Sequence, residues 1–334
     1  MYRFVVVLLL LSFASTSAVG SEVKSELNNV KSCYRGIFSE YSTWESAMQR
    51  KFSSNGIETS KAMKKLSGFK SRFTEEDFNY FKSKLSCQTF TYRVDGIDVQ
   101  GFVIKPIVLS EKAPVIIYNR GGNGNYGAVV FGSMMANLFP LAKEGFVIVG
   151  SQYRGTFTKE DNLDEFGGQD VNDIVALMDI IPHIEGVDIK RVGMYGVSRG
   201  AMQTYLAAKK IPSIKAIAAV AGVVDLKKEL EYRPNMEKVY KNRIPLYESD
   251  KDAQLLSRSA ISWVEKLSKE TPILLLHGDQ DKRVSVDNSR RFSEALNAGK
   301  IPNKLIIYKN DNHFLEKNRR AVFAELSGWF HSHL

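Results

Sequence analysis

The feature that most constrains the fold is an alternation of two periodicities after residue 110. Short, almost continuously apolar runs at 115–119, 146–150, 192–197, 216–221, 273–277 and 305–308 alternate with segments of helical spacing near 128–143, 170–182, 199–210, 286–298 and 316–330. Gly299 followed by Pro302 closes the fourth of these helices. A strand that is apolar throughout is buried on both faces, and strands joined through helices run parallel. The pattern therefore predicts an α/β fold with a mostly parallel sheet and helices on both faces. Two earlier runs, 89–94 and 99–105, flank Asp95-Gly96 as a hairpin does, with a linker longer than the tightest turn. Between 225 and 269 the alternation gives way to a polar, aromatic and basic stretch, which reads as a lid-like insertion over a site.

The segment 21–88 has a different texture, rich in Lys, Glu, Ser and aromatic residues, with few β-branched runs. Thr74-Glu75-Glu76-Asp77 resembles a capping box with Asp in the usual Glu place, and Phe78, Phe81 and Leu85 follow on one helical face. The expectation is two or three helices packed on a main body that spans 89–334. Residues 1–20 carry Arg3, an apolar run over 4–13 and small residues ending Ala18-x-Gly20, the layout of a secretory signal peptide. Its apolar run is half the ~20 residues a spanning helix needs, so an exported protein without stable membrane insertion is expected, periplasmic or secreted. In an oxidising compartment Cys33 and Cys87, the only two cysteines, are candidates for a disulfide.

With 44% hydrophobic and 25% charged residues over 334, the chain is of ordinary globular composition, which excludes disordered, collagen-like and disulfide-dense classes. Its net charge of +9 is spread thinly: Lys227, Lys228 and Arg243 are interspersed with Glu229, Glu231 and Glu237. No basic block is free of acids, so no nucleic-acid partner is expected. Two cysteines are too few for a structural zinc site, and no metal or cofactor is expected.

Gly196-Val197-Ser198-Arg199-Gly200 fits the G-x-S-x-G nucleophile elbow, and it sits where the pattern requires, between an apolar strand and a helix. Glycines leave room for the tight turn that lifts Ser198 out of the sheet. A serine needs a base, and the base an orienting carboxylate, in the order Ser, acid, His for this strand–turn–helix context. Of the downstream histidines, His277 precedes the candidate acid and His331 and His333 are terminal. His313, after the last strand, remains. Asp281 is the first choice of acid, Asp279 the second and Asp225 a third, whereas Asp311 is placed to shape its own turn. The oxyanion hole should use the backbone N–H of Arg199 and a donor from Arg120-Gly121-Gly122, after the strand at 115–119. This glycine-rich loop lacks the spacing of a nucleotide-binding fingerprint.

Tyr118-Asn119-Arg120-Gly121-Gly122, Tyr153-Arg154-Gly155, Gly167-Gly168-Gln169-Asp170-Val171-Asn172-Asp173, Gly196–Gly200 and His277-Gly278-x-x-Asp281-x-x-Val284 occur in collinear order. In these stretches the chain resembles the prolyl-oligopeptidase family of serine peptidases. The resemblance implies an α/β-hydrolase fold, Ser198 as nucleophile, Asp281 as acid, His313 as base, and action on peptide or related acyl bonds. Family members commonly carry a β-propeller, for which 22–88 is too short. Where the family often places an oxyanion-binding tyrosine, this chain has Arg120, a guanidinium suited to an oxyanion or to a substrate carboxylate. The expected partner is a small peptide or acyl ester. A carboxylesterase with the same triad and a non-catalytic binding protein on the same fold are the alternatives.

Overall fold

The computed structural model describes residues 27–54 and 58–334, so the signal-peptide reading of 1–20 lies outside the described residues. Nine strands form one sheet: β1 (Asn28–Ser32), β2 (Leu85–Val94), β3 (Ile97–Pro106), β4 (Ala113–Asn119), β5 (Val147–Ser151), β6 (Val187–Val197), β7 (Ile217–Val220), β8 (Ile273–Gly278) and β9 (Asn303–Tyr308). Their order is β1-β2-β3-β5-β4-β6-β7-β8-β9. The first three strands and the β3–β5 pair are antiparallel, and β5, β4, β6, β7, β8 and β9 are parallel to one another. Every residue of β5, β7 and β8 is buried, which is what their unbroken apolar runs require.

The chain leaves β4 to one side, forming β5, and returns to its other side as β6. The C-terminal ends of β4 and β6 thus bound a crevice where the strand order reverses, the usual place for a ligand in a sheet of this kind. The β2–β3 hairpin is tighter than its sequence suggests. Val94 pairs with Ile97, and Asp95 and Gly96 take left-handed φ values of 51° and 77°. Asp-Gly suits a two-residue turn with both central residues at positive φ.

The segment 21–88 forms helices α1 (Tyr41–Ser53), α2 (Thr59–Arg72) and α3 (Glu75–Lys84), and it also supplies the edge strand β1. Thr74 caps α3, its Oγ1 accepting from Asp77 N at 3.0 Å. Trp44 sits among the rings of Phe38, Phe69, Phe73, Phe78 and Phe131 at centroid distances of 4.9–6.1 Å. Phe131 opens α4 (Phe131–Asn137), so these rings weld the segment to the main body. Cys33 and Cys87 are joined in a disulfide that fastens the start of the segment to β2.

The remaining helices are α5 (Phe139–Lys143), α6 (Asp170–Val175), α7 (Leu177–Ile180), α8 (Arg199–Ala208), α9 (Leu226–Tyr232), α10 (Met236–Arg243), α11 (Lys251–Arg258), α12 (Asp287–Ala298) and α13 (Arg319–His333). The helical patterns at 128–143 and 170–182 are each broken in two, the first before Pro140 in the opening turn of α5. The insertion at 225–269 is α9, α10, α11 and a 3₁₀ turn. One core layer packs α6, α7, α8 and α12 on the sheet, and the other packs α4, α5, α13 and the N-terminal helices on its opposite face. Among the described residues no helix is long and apolar enough to cross a membrane.

A loop of 54 residues closed by Cys33–Cys87 should stabilise the fold by about 4 kcal/mol through lost unfolded-state freedom. Urea unfolding of the Cys33→Ala/Cys87→Ala variant is expected to show that loss. An unchanged midpoint would refute it.

Candidate active site

The nucleophile elbow is built by close approach of three backbone segments. Ser198, between β6 and α8, is held at φ 58°, ψ −124°, a conformation that side chains rarely adopt. Its N–H donates to Val220 O at 2.8 Å, which ties the turn to β7. A Cβ on Gly196 would lie 2.4 Å from Gly200 O, and one on Gly200 would lie 1.9 Å from Asn119 O. Only glycine fits either position, so the motif's spacing follows from the packing of the turn against the end of β4.

The structure brings Asp281 and His313 together. His313 Nδ1 lies 2.7 Å from Asp281 Oδ2, and both residues are buried. Asp281 Oδ1 accepts from the backbone N–H groups of Arg283 at 2.7 Å and Val284 at 3.0 Å. Burial alone would raise the Asp281 pKa. The hydrogen bonds from two histidines and the backbone overcome it and hold the carboxyl well below the usual range. An ionised carboxylate on Nδ1 puts the ring proton there and leaves Nε2 as the nitrogen that can take a proton from Ser198. Ser198 and His313 line the same cavity, of about 770 Å³.

The other acid and base candidates have separate tasks. Asp279 Oδ1 accepts from Asn310 N at 2.7 Å. Asp225 caps α9 and pairs with Arg291. Asp311 accepts from the backbone of Asn312, Lys317 and Asn318 and shapes the His313 loop. His331 and His333 pack against Phe146 and Trp329, tilted and edge-on respectively.

His277, set aside as a base on its position in the chain, turns out to be a second partner of the acid. Its Nε2 lies 3.1 Å from both Asp281 Oδ2 and Val284 O. The carbonyl can only accept, so Nε2 carries the proton, and Nδ1 accepts from Ser289 Oγ at 2.7 Å. Tyr232 Oη donates to Asp281 O at 2.6 Å, so the 225–269 insertion also contacts Asp281.

On the oxyanion side, Gly121 lies against the nucleophile: a Cβ there would be 3.2 Å from Ser198 Cβ. The expectation for the Arg120 side chain is not met. The residue is 1% exposed, and its guanidinium is spent on its own loop and on the turn after β5. Nε donates to Gln152 O at 2.9 Å, Nη1 to Gly121 O and Tyr126 O, and Nη2 to Gly124 O and Thr156 Oγ1, both at 2.8 Å. Burial, with Arg199 nearby, pulls its pKa down to about 10. Arg120 is thus a clamp that shapes the glycine loop, and the donors left to face an oxyanion are backbone N–H groups of that loop and of Arg199.

Arg199 does more than lend an N–H. Its buried side chain donates from Nη1 to Gly122 O at 2.9 Å and Asp164 Oδ2 at 2.8 Å, and from Nη2 to Asp164 Oδ1 and Asp170 Oδ2, both at 2.6 Å. Gln203 Nε2 also donates to Asp170 Oδ2. Asp164 Oδ2 accepts from Gly124 N at 2.6 Å. Burial opposes ionisation of Asp164, and Arg199 with the backbone donors nevertheless holds its pKa low. The same two carboxylates and one guanidinium therefore fix the oxyanion loop to the nucleophile helix. Sequence reasoning missed Asp164 and gave Asp170 no role. The available signal was Arg199 itself, a cation in the first turn of a helix, where the dipole disfavours it unless carboxylates are close.

Asp164→Asn keeps the shape and removes one buried charge from the group. It is expected to lower stability by about 3 kcal/mol, read by denaturant unfolding, and to lower kcat/KM where the protein is still folded. Glu229 lines the cavity, with Asn288 Nδ2 3.3 Å from its Oε2, and burial pushes its pKa up to about 8. The folded state keeps this proton after the unfolded chain has lost its own, so stability falls as pH rises from about 4.5 to about 8. Glu229→Gln should flatten that slope and unfold at higher urea than the parent at pH 9, with the gap closing toward pH 5.

The prolyl oligopeptidase family model matches residues 132–334. Dipeptidyl-peptidase 5 of Porphyromonas gingivalis is 27% identical over 250 residues, 70% of this chain and 36% of that enzyme. The uncharacterized peptidase YtmA of Bacillus subtilis is 26% identical over 243 residues, 72% of this chain and 91% of its own length. Among solved structures, acylaminoacyl peptidase of Pyrococcus horikoshii superposes with a TM-score of 0.67 at 21% identity, covering 78% of this chain and 44% of that one. The chain thus spans less than half of two of these proteins and nearly all of the third. Its sheet is that of an α/β-hydrolase, and with a family match over most of its length the chain belongs to the prolyl oligopeptidase family of serine peptidases.

Proposed function

We propose that this protein hydrolyses peptide bonds of small substrates through an acyl-enzyme on Ser198, outside the cytosol. His313 Nε2 takes the Ser198 proton as Oγ attacks the carbonyl. Asp281 holds the ring in the required tautomer and stabilises the imidazolium that forms. The developing oxyanion is met by the N–H of Arg199 and by N–H groups of the Gly121–Gly122 turn, already oriented before the reaction. His313 then gives its proton to the departing amine, and the same dyad activates water to release the acyl group. The observation that carries this reading is the buried 2.7 Å Asp281–His313 contact on the cavity that holds Ser198 in its strained turn.

Substrate size rests on the cavity, of about 770 Å³ and walled by the insertion on one side and by α13 with Arg72 of α2 on the other, which suits a short peptide. The compartment rests on the 1–20 sequence pattern and on the Cys33–Cys87 disulfide, a bond rare in reducing cytosol.

A fluorophosphonate probe is expected to label the protein, and Ser198→Ala to abolish labelling. Asp281→Asn, which permits the wrong tautomer of His313, should lower kcat by about 10³–10⁴-fold on a peptide substrate. A folded, unlabelled parent would overturn the reading. Turnover of p-nitrophenyl esters with no amide cleavage across a peptide panel would replace it with a carboxylesterase.

A further inference from the structure

The cavity runs over the C-terminal edge of the sheet from one core layer to the other. Phe166, Val223 and Tyr240 wall one half, from the layer beneath α8 and the lid; Tyr195, Leu315 and Val322 wall the other, from the layer beneath α13. Ser198 stands between the halves at the end of β6. The group that leaves must take its proton from His313, and the chain that follows His313 builds the second half directly, through Leu315, Glu316, Arg319 and Val322. The second half is therefore where the leaving group goes.

Two guanidinium groups from distant parts of the chain meet in that half: Arg72 at the end of α2 and Arg319 at the start of α13. Arg319 Nη2 donates to Ala136 O and to Asn137 Oδ1, which anchors one side of its fork. Arg72 rests over the Phe73 ring, 5.7 Å from its centroid, and among the described residues no hydrogen bond or ion pair engages it. Neither arginine is paired with a carboxylate among the described residues. Glu316, the acid on this wall, receives Asn312 Nδ2 at 2.8 Å. Burial and the nearby Arg72 charge both pull the Arg319 pKa down, while Glu316 pulls the other way. Two like charges at one end of a cavity repel each other and attract an anion, and a guanidinium fork matches a carboxylate in geometry.

We propose that Arg72 and Arg319 bind a carboxylate carried by the leaving peptide, so that the enzyme favours substrates with such a group a short distance beyond the scissile bond. The proposal rests on the acyl-enzyme reading above for which half receives the leaving group. The carboxylate has two sources, a free C-terminus or an Asp or Glu side chain, and the test separates them.

Matched peptides with one to four residues beyond the scissile bond are compared as free acids, as C-terminal amides, and as amides with Asp or Glu in that stretch. The free acids are expected to exceed the plain amides by about tenfold in kcat/KM, carried by KM. If the acidic amides match the free acids, either carboxylate serves. If only the free acids exceed the plain amides, the C-terminus is the source, and if only the acidic amides do, the side chain is. In Arg72→Gln the ratio of acid to amide should fall to near one, and Arg319→Gln should act likewise, with thermal unfolding showing that each variant is folded. Equal turnover of acids and both kinds of amide, or a ratio unchanged in both variants, overturns the proposal. Calorimetric binding of the same peptides to Ser198→Ala separates the two readings. A preference for carboxylates there, without turnover by the parent, would sink the acyl-enzyme reading alone. Turnover without any preference would sink the proposal alone.

Discussion

The buried charge group of Arg199, Asp164 and Asp170 is the interaction on which the rest of the active site depends. A guanidinium 3% exposed is tolerable only with nearly every proton matched, and here the acceptors come from the turn after β4 and from two points of the β5–α6 connection. Asp164 brings the loop after β5, Asp170 brings the first turn of α6, and Gly122 O brings the turn after β4. Arg199 itself opens α8 one residue after Ser198. Fixing this cation therefore adds a side-chain tie between the glycine loop and the start of α8 to the β4–β6 pairing that already sets Asn119 beside Gly196. Tyr153 supports the arrangement from below. Its ring lies 4.8 Å from the Arg120 guanidinium and 5.4 Å from that of Arg199, and its hydroxyl donates to Arg120 O at 3.1 Å.

A comparable logic governs the acid. Asp281 sits in a site that would keep a lone carboxyl neutral, and its four hydrogen bonds make the charged form the stable one. Two come from histidines on different elements. His277, at the end of β8, is held by Ser289 of α12 and meets the same Oδ2 as His313, while the backbone N–H groups of Arg283 and Val284 hold Oδ1. A carboxylate with both oxygens held has little freedom to rotate away from His313.

Most of the sheet, and the placing of Ser198, Asp281 and His313 at one cavity, were legible in the sequence because both follow from local rules. Unbroken apolar runs mark strands buried on two faces, and the elbow's glycines mark a turn with no room for a Cβ. What was not legible follows from long-range or marginal physics. Asn28–Ser32 has a single apolar residue and lies exposed at the sheet edge, where polarity protects against unwanted pairing; nothing in its composition distinguishes it from a loop. The Asp95-Gly96 turn was read too loosely because Ile97-Asp98 lack the apolar density of a strand, although they pair fully with Val94 and Arg93. Arg120 does sit on the loop after β4, but a motif locates a Cα and not the end of a long side chain. The guanidinium turns back on five acceptors that only the folded loop assembles.

The N-terminal segment shows how these levels connect. Its helices have little apolar surface of their own, and α1 and α2 each bury only two residues. It is held by three constraints instead: β1 pairing with β2, the Cys33–Cys87 bond, and the aromatic cluster around Trp44 that includes Phe131 of the main body. The same cluster contains Phe73, the residue after Arg72, so the packing that docks the segment also sets where the Arg72 charge enters the cavity. A segment that looks like an appendage in sequence in this way puts one charge, Arg72, into the cavity, and its attachment and that charge's position rest on the same few rings.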